Sequence, residues 1–283
     1  MPNDRLRIQL LSDAELDRIT AGTLRIGTSN SGAISVTRSM NPAQANTLHL
    51  SSGASITQPG SLPREITVPQ FAAEATGDIT LNISNDFDRV SALSTAGAVY
   101  LNDANHMLVG AVDGLTQSRA ATNLTLVTQN GNVTVEDTSA GDELVAANLS
   151  VTLYGAETVF EQLAGSRISA SNQAGVAADK MKLAGRIAGN TVQLQPRRAG
   201  LALDLGSLTD DAANTLELSD AELSSISAAT LRLGDGTSGI TISAPLNAED
   251  AGRMWLNSNG GLSQTAPLSQ TWLIAAVAGL LVL

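Results

Sequence analysis

Residues 12–27 read SDAELDRITAGTLRIG, and residues 219–234 read SDAELSSISAATLRLG. Ser, Asp, Ala, Glu and Leu coincide in a row. Ile19/Ile226, Ala21/Ala228, the Thr-Leu-Arg triplets at 23–25 and 230–232, and Gly27/Gly234 follow in register. With one residue dropped the match runs on: Ser35-Val36-Thr37 faces Thr241-Ile242-Ser243, and Asn41 faces Asn247. Leu48-His49-Leu50 then faces Met254-Trp255-Leu256, and Gln58 faces Gln264. Related modules therefore occupy 10–58 and 217–264. A unit that returns near both ends, with strand-and-turn text between, marks stacked modules that bury their hydrophobic edges only against neighbours.

The text between is strand-like. Apolar residues recur two apart at Leu24/Ile26, Ile34/Val36, Leu48/Leu50, Ile66/Val68, Ile79/Leu81/Ile83, Val99/Leu101, Leu124/Leu126 and Val133/Val135. The alternation continues at Leu149/Val151/Leu153, Val192/Leu194, Leu201/Leu203/Leu205, Leu231/Leu233 and Ile240/Ile242. Period two over a few residues is the pattern of a half-buried strand. Ser52-Gly53, Thr76-Gly77-Asp78, Asn130-Gly131-Asn132 and Asp235-Gly236 supply turns. Alternation alone leaves sandwich, barrel and solenoid open. The duplicated module selects an all-β fold, a parallel β-helix (β-solenoid) over 1–270. Coils of roughly 20–30 residues give on the order of ten of them.

Ser12-Asp13-Ala14-Glu15 and Ser219-Asp220-Ala221-Glu222 have the form of capping boxes. They predict short helices of one or two turns ahead of the strands Thr23–Ile26 and Thr230–Leu233. Residues 155–190 alternate less cleanly, and a further short helix at Glu157–Leu163 or a looser coil is expected there.

Composition agrees with an array. Aromatic residues make up only 2% of the chain, so the core must be built from small aliphatic side chains, which stacked coils can pack on one another. Charged residues are sparse at 15%, with a net charge of −11. Lys and Arg are scattered singly apart from Arg197-Arg198, and no basic stripe suited to nucleic acid is present. There is no cysteine. Met1–Leu11 contains Asp4, Arg5 and Arg7 and no apolar run, so an export signal is expected outside this chain.

The segment 271–283 is apolar and free of charge from Trp272 to Leu283. A membrane-spanning helix needs about twenty such residues, and the repeat places the next coil here. A last solenoid strand is the expectation. Neither end carries a polar capping sequence, which points to a piece of a longer array.

Candidate chemistry is thin, and no catalytic, cofactor-binding or metal-ligating residue is assigned. Asp86/Asp88, Asp210/Asp211 and Glu249/Asp250 are paired acids, the residue type that β-helical polysaccharide lyases and hydrolases use. Each pair lies in a turn-like context, where Asp bonds its own backbone. A carbohydrate-active β-helix enzyme of the polysaccharide lyase or hydrolase type is therefore one alternative reading, and a non-functional fragment of a longer protein is another. His49 and His106 are the only histidines. The alternation turns His49 outward to the surface, and two distant histidines without cysteine do not suggest a zinc site. Gly234-Asp235-Gly236-Thr237 resembles a calcium turn only faintly, since the tandem nonapeptide is missing. Asn82, Asn123, Asn132 and Asn148 begin glycosylation sequons of the kind that arise by chance in an Asn/Ser/Thr-rich chain.

The string L-S-D-A-E-L-x-x-I-x-A-x-T-L-R-[IL]-G, the module at 46–58, and Ala75–Leu81 with Asn85–Leu93 resemble repeats of filamentous-haemagglutinin-like large exoproteins. The resemblance covers most of residues 8–270 and is weakest between 155 and 200. It implies a right-handed parallel β-helix that is secreted or exposed on a Gram-negative cell surface. It also implies an outer-membrane secretion partner for the full-length protein, or the autotransporter route. The implied role is adhesion to glycans or proteins of host or bacterial cells, with no cofactor. The amino-terminal secretion domain of such proteins is not visible in this sequence.

Overall fold

Ile34, Ile56, Ile79, Val99, Leu124, Leu149, Ala174, Val192, Leu231, Met254 and Leu273 stand one above another in a single column of parallel pairings. The column runs through a computed structural model that describes residues 12–60, 63–270 and 272–282. Leu10 and Leu11 of the first module, Thr271 and Leu283 lie outside the described residues. Each member of the column belongs to one coil of a β-solenoid of about 11 turns. Between Ile34 and Ile56 and those that follow, a coil takes 18 to 25 residues, except for the 39 from Val192 to Leu231.

Strands lie along three sides of the solenoid. The first holds the column just named. The second holds Ala21–Thr28, Ala45–Ser52 and the later halves of Thr67–Ala75 and Ile79–Ser94. It continues through Ser118–Arg119 into the starts of Leu144–Leu153, Arg167–Ala177, Arg186–Gln195 and Ile226–Leu233. The third holds Met107–Val109, Val133–Val135, Val159–Gln162 and Lys180–Leu183. Every strand pairing among the described residues is parallel, save a small bridge between Val112 and Leu115.

Parallel stacking explains how so few aromatic residues suffice. Each inward Leu, Ile or Val packs on its counterpart a rung away, and most of these positions are fully buried. Phe71 and Phe87, paired in register with Val90 and Val68 respectively, stack diagonally between adjacent coils with ring centroids 4.4 Å apart. Where the chain bends between sides, ladder groups lose their partners, and buried amides replace them. Asn85 accepts from Gln58 Nε2 at 2.7 Å and from the Ile66 amide at 2.9 Å, and donates to the Ile83 and Asn102 carbonyls. At several turns a buried hydroxyl donates to a nearby carbonyl, as Ser52 does to Gly32, Ser94 to Gly77 and Thr128 to Gly131.

Both short helices form, α1 at Asp13–Leu16 and α2 at Asp220–Ser224. Too short to be stable alone, each is fixed at its start. Glu15 reaches back to the Ser12 amide, and Glu222 to that of Ser219, both at 2.8 Å. Each then clamps the following coil in the same way. Asp13 accepts from the Asn41 amide at 2.7 Å, and Asp220 from the Asn247 amide at 2.6 Å. The paired Gly27 and Gly234 share a positive φ of 84° and 89°. A Cβ there would meet the Ser51 or Asn257 carbonyl of the next coil at 2.2 or 2.4 Å, so only glycine fits.

Three expectations are corrected. No helix forms at Glu157–Leu163, where Val159–Gln162 is a strand in regular register. Its alternating burial, with Phe160 and Gln162 inward, decides for the strand. The irregular stretch lies further on. Strand Thr215–Leu218 pairs with Ala202–Leu205 on the side opposite Ile240–Ile242, so the chain steps back a rung before α2. Lys180 reaches the Ala212 carbonyl and stands 3.9 Å from Glu217, both side chains buried. That pairing holds the backward step in place. The third correction, the position of His49, belongs to the outer surface and is described below. At the far end, Leu273–Val277 pairs with Met254–Ser258, and Leu281–Val282 with Leu262–Gln264. Trp272, Leu273 and Ile274 are exposed.

Candidate functional site

Outward residues form ladders of their own. On the second side Arg25, His49, Ala72 and Ser91 are in register. All four point away from the core, yet His49 is only 8% exposed, and Ala72 and Ser91 are 0% exposed. The expectation of a surface histidine thus fails, because a strap made by residues 110–117 lies over the ladder. Val112 and Leu115 bond each other in a tight turn whose tip residues, Asp113 and Gly114, have positive φ. Gln117 is anchored by Ser91 Oγ at 2.9 Å. From there the strap runs back over three rungs, roughly 14 Å at the usual strand spacing.

Asp113 pins the tip. Its carboxylate takes two bonds from Arg25, at 2.8 and 2.6 Å, and one from His49 Nδ1 at 2.6 Å. An ionised carboxylate only accepts, so Nδ1 carries the proton. The Arg25 guanidinium holds the Asp113 pKa down to about 2. His49 Nε2 is buried without a hydrogen-bond partner, 3.8 Å from Glu74 Oε1. Glu74 itself accepts from Ser51 Oγ at 2.8 Å.

The acidic pairs are not brought together. Asp86 accepts from Asn105 on the adjacent coil. Asp210 sits in the backward step, where burial and then Glu222 raise its pKa. Glu249 bonds Asn247, and Asp250 lines a groove on the second side. Beside Asp86 lies a buried acid that sequence reading missed. Asp103 is pushed up to about 7, chiefly by burial, while it accepts from the Phe87 and Asn105 amides. His106 is exposed and accepts from the Asn132 amide. Asp235 accepts from the Thr237 amide at 2.8 Å, which accounts for that turn without an ion. No group of three or more His, Asp or Glu among the described residues is arranged to hold a metal ion. Asn148 donates to Asn123, and Asn172 to Asn148, so two of the sequon asparagines belong to an amide ladder across coils.

A groove of about 630 Å³ opens on the second side. Its floor is small, with Gly165, Gly185, Ser169 and Ala188, and Arg167 and Arg186 stand in register on adjacent coils. Asp142 and Asp250 lie toward its two ends, and Ser224 and Ser225, at the end of α2, lie between Arg186 and Asp250. Scattered in sequence, the two arginines are one coil apart in the fold, and that spacing is the only signal that could have linked them. No family model, curated protein or solved structure matches this chain.

Proposed function

We propose that this chain is a shaft segment of a surface-exposed, haemagglutinin-like bacterial adhesin, presenting its turns and outward strand faces to partners and performing no catalysis. The unbroken column from Ile34 to Leu273 supports this reading. Eleven rungs at about 4.8 Å each make a rigid rod rather than a globule. Stacking is carried by nearest neighbours, so such a rod lengthens by adding coils at no cost to those already formed. In this reading the partners are glycans or proteins of cell surfaces, and export uses an outer-membrane partner.

Surface location and attachment test the proposal together. Cells producing the protein are treated with protease that cannot enter, and attachment is compared with a strain lacking the gene. Loss of the chain on shaving, with reduced attachment in the deletion strain, is expected. Full protection from protease with unchanged attachment would sink the adhesin reading.

A further inference from the structure

We propose that the groove on the second side binds a linear acidic polysaccharide, in which a uronic acid is flanked by neutral sugars, through Arg167 and Arg186. Among the described residues some cations have ionic or aromatic partners and others, such as Arg119 and Arg253, do not. Arg25, Arg89 and Arg198 pair with carboxylates, and Arg197 and Arg232 lie over the rings of Tyr154 and Trp255. Among the described residues Arg167 and Arg186 have neither, although Asp142 and Asp250 line the same groove. The two are in register on neighbouring strands, where like charges oppose each other. An anion between them removes that repulsion and gains charge-assisted, forked hydrogen bonds.

Both arginines are also fixed at the backbone. The Arg167 amide donates to the buried Glu143 carboxylate, and the Arg186 carbonyl accepts from the buried Gln162 amide. The groove follows the solenoid axis over several coils, so it suits a chain rather than a lone ion. Its charges run acid, base, base, acid from Asp142 to Asp250. One carboxylate fits at the centre, while the end carboxylates accept from hydroxyls and repel further anions. A neutral–acidic–neutral sugar sequence has that pattern, and a dense polyanion does not.

Other linear partners are less well served. The strands beneath the groove are paired on both edges, so a peptide finds no free main-chain groups to join. No aromatic ring lines the groove to stack a nucleobase.

The test is titration of the purified full chain with hyaluronan oligosaccharides, using dextran, polyglutamate and oligo-dT as comparisons. Hyaluronan is expected to bind, weakening as salt rises, and dextran is not. Arg167→Ala and Arg186→Ala should each lower affinity about 10- to 100-fold, the range for a charged hydrogen bond. Arg253→Ala, outside the groove, should leave it unchanged. Ser169→Trp fills the floor and should abolish binding while the melting temperature is kept. Absence of hyaluronan binding overturns the proposal, as does an equal loss with Arg253→Ala. So does polyglutamate or oligo-dT binding at equal strength through the same two arginines. These outcomes do not depend on where the protein works, so they are separable from failure of the shaft reading.

Discussion

His49 Nδ1 lies 2.6 Å from the carboxylate of Asp113, across 64 positions of sequence, and this contact closes a strap over three coils of the second side. Asp113 serves Arg25 through the same carboxylate. Removing it leaves the His49 imidazole buried without a partner on either nitrogen, as Nε2 already has none. Asp113→Ala should therefore destabilise by about 2–3 kcal/mol, the range for losing a charged, partly buried hydrogen bond. Hydrogen exchange should rise at residues 110–117 well before the core strands. Unchanged exchange there would show that the strap is held by its flanks alone.

The same carboxylate gives an acid limb. The folded pKa of Asp113 is about 2, below the ordinary 3.8. Its contribution is complete above the unfolded value and is lost as pH falls through the folded one. Strap protection should decline between about pH 4 and pH 2. Asp113→Asn should lack that limb in exchange measured across the same range.

Ala72 and Ser91 floor the strap, and their size is part of the design. Ala72→Leu places three extra carbons where the strap rests. Overpacking of this kind costs about 1–3 kcal/mol. The expected result is a lower melting temperature with residues 110–117 exposed to proteolysis. A variant as stable and as protected as the parent would mean that the strap adapts.

Asp103 sets an opposite pH trend. Burial raises its folded pKa from 3.8 to about 7, so the unfolded chain ionises first. Stability should fall as pH rises from about 4 to about 7 and then level off. The drop is bounded by about 4 kcal/mol. Denaturant titrations at pH 4.5 and 7.5 measure it, and a flat profile would show that Asp103 is ionised at no cost.

The helix clamps supply a paired test. Asp220 accepts from the Asn247 and Ala248 amides, and Asp13 accepts from the Asn41 amide. Asp220→Ala should cost about 1–3 kcal/mol and Asp13→Ala a comparable or smaller amount, read from unfolding midpoints. Equal stability of both variants and the parent would deny the clamp.

Local sequence determined much of this molecule. Period-two alternation made strands, the Ser–Glu boxes made α1 and α2, and the recurring module made a stack, because each depends on neighbours within a few residues or on one repeated pattern. The placement of the repeat was decided elsewhere. Leu231 is the sequence counterpart of Leu24, yet it stands in the column that begins at Ile34, while Leu24 pairs with Leu48. Coil lengths that vary from 18 residues upward, together with the extra strand at Thr215–Leu218, accumulate to shift the second copy to another side. Surface chemistry was likewise a matter of tertiary structure. Alternation correctly turned His49 outward, but only the path of residues 110–117 buried it under Asp113. In a solenoid the vertical neighbour of a residue lies one coil away, at a distance in sequence that no local pattern fixes, and for that reason Arg167 and Arg186 met only in the fold.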